Sequence, residues 1–280
     1  MLHIKPVIDE NASDGVVAIY GRIRDGFKLD AIPLFFQYMG NFPDFLEYIW
    51  KSIETNLKSA AFWDLSDECK DKCLDLYSSV YSPSAIANEL LESIFKNETS
   101  AHFIGAKLKN LSITNASIAL LFVSMREAIK GWAITTKLLK DKYDHAYFEA
   151  VTPKIEREIE TSLVDASSSV QESSKLEQFD YIKFMAIVQS EVDDSIKHES
   201  HLHARLALEE HLVDHKDKVE IDVTYRTLAQ YASDYKHFDE LVYLLSESFP
   251  TIAANRVIVS SIGSILLKGI TSQEVVREGS

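Results

Sequence analysis

A chain of 280 residues with only 9 Gly and 6 Pro has few places to turn. Average usage would supply roughly 34 of the two together. Sandwiches and barrels of short strands need a turn every few residues, and dinucleotide folds need glycine fingerprints. Scarcity of both leaves long helices joined by a few polar loops, an all-α fold. The length suits one large domain or two of about 140 residues.

Charge narrows the partners. The balance of 29 basic against 43 acidic residues gives a net charge of −14. Such a surface repels phosphate backbones and anionic headgroups, so neither nucleic acid nor membrane is expected as a partner. The N-terminal MLHIKPVIDENASDG has acidic residues where a secretion signal needs an apolar run. The most apolar stretch, Ile118 to Met125, is too short to span a bilayer. A cytoplasmic protein is expected. Cys69 and Cys73 share one helical face, lack a second pair for a zinc site, and read as reduced structural thiols.

Apolar spacing predicts helices near 16–27, 34–38, 44–56, 66–80, 83–96, 115–140 and 142–149. A polar stretch with Pro153 at its head follows, then helices near 180–198, 199–214, 222–233, 235–248 and 252–268. Ile113-Thr-Asn115-Ala-Ser-Ile matches Ile252-Ala-Ala-Asn255-Arg-Val at an offset of about 139 residues, half the chain. The predicted organisation is a lead-in over 1–15, a first helical repeat over 16–150, a linker over 151–178 and a second repeat over 179–280.

Among candidate chemistries, His198, His201, His203, His211 and His215 crowd into eighteen residues, with His211 and His215 four apart. The Glu-x-x-His signature of di-iron helices is absent at every histidine, and the region reads as a solvated face rather than a metal site. No nucleophile elbow, Walker loop or His-Glu-x-x-His occurs. Asn115 and Asp180 stand before unusually apolar stretches, where each is a natural helix N-cap. In a cleft between the halves, a carboxylate could instead polarise a water while an amide orients it.

The block Ile19-Tyr-Gly-Arg-Ile-Arg, with Phe42-Pro43, Leu46 and Trp50 downstream, resembles the opening of the group I α-haloacid dehalogenases. Asn115 before an apolar helix resembles a second block, and Gln178-Phe179-Asp180-Tyr181 a third. The resemblance implies two tandem helical pseudo-repeats, a site between them, a homodimer, and no metal or cofactor. It implies direct displacement of halide from a small 2-halocarboxylic acid by a carboxylate-activated water, with inversion. By position Asp180 becomes the base, Asn115 its helper, and Ala31, Leu34 and Phe179 the substrate-binding walls. The departures are specific. Ala31 and Leu34 replace larger aromatic walls, and Phe179 stands where the family has a small polar residue before the catalytic Asp. The alternative is a non-catalytic helical scaffold or binding protein that kept the fold and lost the pocket. A metal-binding protein built on His198–His215 is a third reading.

Overall fold

A computed structural model describes residues 2–130 and 174–278. Among them the chain is helical without a strand, as the shortage of turn residues predicts. The helices are α1 (Asp14–Phe27), α2 (Leu34–Met39), α3 (Pro43–Leu57), α4 (Ala60–Val80), α5 (Ala85–Phe95) and α6 (Glu98–Lys130). They continue as α7 (Ser174–Ser195), α8 (Glu199–Asp214), α9 (Tyr225–Asp234), α10 (Phe238–Tyr243) and α11 (Phe249–Glu278). The predicted helix over 142–149 and most of the predicted linker lie outside the described residues.

Local chemistry sets several boundaries. Pro43 occupies the first position of α3, where a missing N–H is harmless. Ser84 caps α5 by accepting from the Ala87 N–H, and Thr224 caps α9 through the Thr227 N–H. A π turn over Leu244–Ser248 joins α10 to α11. Pro250 follows directly: its ring crowds the carbonyl four residues back, and a widened turn before it relieves that clash. A break was expected near 249–251, and the π turn carries the helix through it instead.

Two compact units emerge, and each is assembled from three pieces of chain. Unit 1 takes residues 1–63, 120–168 and 213–252, and unit 2 takes 64–119, 169–212 and 253–280. These units do not follow the sequential division of the chain, because α6 and α11 each run from one unit into the other.

Unit 1 is held by interlocked aromatic rings. Phe36 and Trp50 meet edge to face at 6.2 Å, and Phe249 meets Phe35 the same way at 5.1 Å. Phe238 meets Phe42 and Phe45 at 5.2 and 5.1 Å. The lead-in is a strap fastened along this unit. Tyr20 donates to the Val7 carbonyl at 2.8 Å, the Val7 N–H to Gln37 at 3.0 Å, and Asn41 to Lys5 at 2.7 Å. Gly40 is required at this crossing, since a methyl there would overlap the Tyr20 hydroxyl.

Unit 2 is packed with smaller and more polar contacts. Ser117 meets Ser66 at 3.0 Å, and Phe95 packs on Phe184 with ring centres 6.0 Å apart. Both cysteines are free and buried, and burial pushes the Cys73 thiol up to about 12. Two stretches, Glu98–Ile129 and Phe238–Gly269, are long and apolar enough to cross a bilayer. Their most apolar windows are 78% and 67% buried inside the protein, as core helices are.

Candidate functional site

Neither Asn115 nor Asp180 begins a helix. Asn115 lies midway along α6, which starts seventeen residues earlier at Glu98, and Asp180 lies in the second turn of α7, which starts at Ser174. The capping reading is therefore corrected for both. Asn115 is 4% exposed, and its amide N–H donates to the Arg256 carbonyl at 3.1 Å. Asp180 is 9% exposed and accepts from the Ser100 hydroxyl at 2.7 Å.

These contacts separate the expected pair. Ser100 and Asn115 belong to one unbroken helix, fifteen residues apart. At 1.5 Å per residue that is about 22 Å along the axis. One water cannot touch both Asp180 and Asn115.

The walls expected for the pocket fall in both units. Leu34 is buried in unit 1, and Ala31 half-buried there. Phe179 belongs to unit 2, is 54% exposed, and carries the Lys183 ammonium over its ring at 4.2 Å. It faces solvent.

A different carboxylate on α7 is better placed. Ser100 meets Asp180, Phe103 meets Tyr181, and Leu108 and Val188 both pack at Gly263, so α6 and α7 run in the same direction. Glu191 lies eleven residues beyond Asp180 on α7. It is buried, and Ser190 precedes it.

Glu191 is held by three donors. The Tyr81 hydroxyl donates at 2.6 Å and the Ser84 N–H at 3.0 Å to Oε2, while the Ser84 hydroxyl donates at 2.6 Å to Oε1. A carboxylate offers about four acceptor positions, so one remains, on Oε1. The donor serine also caps α5, which fixes the carboxylate to the start of a helix.

Glu191 lines a pocket of about 360 Å³ in unit 2, together with Tyr77, Tyr81, Ser195, His198 and His201. His201 Nδ1 lies 3.2 Å from the Tyr77 hydroxyl and 3.1 Å from Ser195 Oγ. Ser195 spends its proton on the Val192 carbonyl at 3.0 Å. Burial, with Arg205 nearby, holds the His201 pKa below the usual histidine value, so the ring is neutral near pH 7. Burial and the Glu191 charge raise the Tyr81 pKa, and Tyr81 stays a donor.

The histidine-rich segment divides among these roles. His198 and His201 belong to the pocket, whereas His203 is exposed. Sequence reading missed Glu191, Tyr81 and Ser84.

Comparison with known proteins adds the fold. No family model matches the sequence, and no curated protein matches it. Three solved structures do match, all of them D-2-haloacid dehalogenases. One is a mutant in complex with D-2-CPA, 14% identical, with a TM-score of 0.66 over 94% of this chain and 97% of that one. A second, also a mutant, is 12% identical with a TM-score of 0.67 over 95% and 97%. The third, in complex with L-LA, is 12% identical with a TM-score of 0.65 over 95% and 98%. The likeness spans nearly the whole of both chains. This chain shares the all-helical fold of the D-2-haloacid dehalogenases.

Proposed function

We propose that the protein is a dehalogenase-like hydrolase acting on a small 2-halocarboxylic acid, with Glu191 rather than Asp180 as the base. The single observation that carries this reading is the buried, three-fold anchored Glu191 carboxylate lining a pocket of about 360 Å³ in a dehalogenase fold. Ser190 also supplies the small polar residue that precedes the catalytic carboxylate in the family.

In the reaction, the remaining Oε1 lone pair takes a proton from a water in the pocket. The water oxygen bonds to the α-carbon as the carbon–halogen bond breaks, and halide leaves with that bond pair. The product is the 2-hydroxy acid of inverted configuration. Tyr81 and Ser84 hold the carboxylate still; a misplacement of about 1 Å in such an alignment costs around a hundredfold. The homodimeric and cofactor-free character implied by the family resemblance, and the cytoplasmic location expected from the sequence, belong to the same proposal.

Halide release from 2-chloropropionate by the purified chain tests the reading. Wild type should release halide, Glu191→Gln should lose at least about a hundredfold, and Asp180→Asn should retain activity. Loss in Asp180→Asn with retention in Glu191→Gln returns the role to Asp180. No release by folded wild type leaves the scaffold reading.

A further inference from the structure

His3, His237 and Glu240 come together in unit 1, far from the pocket's residues in sequence and unused by the reaction above. We infer that these three side chains form a binding site for one divalent zinc ion, fastening the N-terminal strap to the start of α10. Their candidate ligand atoms all lie within 4.8 Å of one another.

The carboxylate is arranged for a cation. Glu240 is 1% exposed, and its charge partners among the described residues are the two histidines. A buried carboxylate is costly unless it is neutralised. Its Oε2 accepts the His3 N–H at 2.7 Å and the Ile4 N–H at 3.2 Å, which fixes the plane of the group. Oε1 is thereby aimed at both imidazoles, 2.6 Å from His3 Nδ1 and 3.3 Å from His237 Nδ1.

The two rings lie parallel, 4.3 Å apart and inclined by 16°, so their Nδ1 atoms approach the same oxygen from neighbouring layers. Ligand atoms around tetrahedral zinc are about 3.3 Å apart, given bonds of about 2.0–2.1 Å. The His237 contact already has that spacing. The shorter His3 contact opens by rotation of a side chain that is 65% exposed, and that exposure is also the route of entry. Two imidazoles and one carboxylate are a donor set suited to zinc, with water as the fourth ligand. The two backbone N–H groups on Oε2 act as the outer supports that such sites require.

The ligands come from positions 3, 237 and 240, so no sequence spacing announces them. The alternative occupant is a proton, shared between His3 and Glu240. The experiment separates the two and does not depend on the dehalogenase reading.

The full chain, prepared without a histidine tag and freed of metal, is titrated with zinc against a chromogenic chelator. One equivalent should bind, and His3→Ala and His237→Ala should each weaken that binding at least about tenfold. His3→Ala keeps the backbone N–H bonds, so its fold should survive and circular dichroism should match wild type. Cobalt(II) should give the visible absorption of a four-coordinate site in wild type and lose it in Glu240→Gln. Zinc should also raise the Tm of wild type but not of His3→Ala. Failure of wild type to bind zinc leaves only the proton and overturns the inference. Equal binding by wild type and His3→Ala places the ion elsewhere and overturns it too.

Discussion

Of the twelve largest wholly buried side chains among the described residues, ten belong to unit 1, and only Tyr77 and Phe184 to unit 2. The buried polar residues divide the other way. Unit 2 holds twelve of the seventeen, including Asp180, Glu191, His201 and Arg256. Unit 1 thus draws its stability from ring packing, which is large in energy and indifferent to pH. Unit 2 gives up some of that packing to hold charged and polar groups in fixed positions. Groups of that kind are what a reaction uses, and the candidate carboxylate is found where they concentrate.

The contrast breaks most visibly in unit 1. Trp50→Ala removes a ring packed against Phe27 and Phe36, and should cost about 3–5 kcal/mol by urea denaturation. A loss under about 1 kcal/mol would mean that the aromatic cluster does not carry the unit.

A middle-sized effect is expected in unit 2 from Tyr81→Phe. It deletes one of the three donors on the Glu191 carboxylate, and should cost about 1.5–3 kcal/mol. Halide release should fall with it if Glu191 is the base. Intact activity in a destabilised Tyr81→Phe would separate the carboxylate's structural role from any catalytic one.

Ser66→Ala removes a buried hydroxyl contact to Ser117 and should cost only about 1 kcal/mol, measured in the same way. A still smaller signal is expected in the pH profile from His201 in unit 2. His201 has a lowered pKa in the folded chain, so on acidification the unfolded chain takes up its proton first. Its contribution is fully present above the unfolded pKa, near 6.5, and is lost as pH falls from there through the folded value. His201→Gln should flatten that part of the stability curve, while Trp50→Ala should only shift it downward. Native Cys73, its thiol pushed up to about 12, should resist a disulfide reagent at pH 8 until the chain unfolds.

What could be read before folding follows the same division. Helices packed by an apolar stripe, such as α1 and α3, were visible because spacing and side-chain type agree along them. Pro43 and Asn41 marked the boundary between α2 and α3 for the same reason. The first half of α6 was not visible: Asn115 has the chemistry of a cap, and only a carbonyl from a distant helix shows that it sits inside one. Asp180 misled in the same way, because a buried aspartate bonded to Ser100 and a capping aspartate look alike in sequence. Glu191 could not be singled out among 43 acidic residues, since its donors come from Tyr81 and Ser84, more than a hundred positions away. The fold was legible because it is written in local periodicity. The site was not, because it depends on which helices meet.

The strap along unit 1 sets an order of events for the newly made chain. His3 and Ile4 leave the ribosome well before the carboxylate that accepts their N–H groups, which is 237 and 236 residues behind. At 5–20 residues per second, that partner follows after about 10–50 s. Through that interval the segment can fasten only to nearer sites, through Val7, Tyr20, Gln37 and Asn41. Gly40 and Tyr20 therefore act as a holding point. They keep the strap in register until the last part of the unit arrives to close over it.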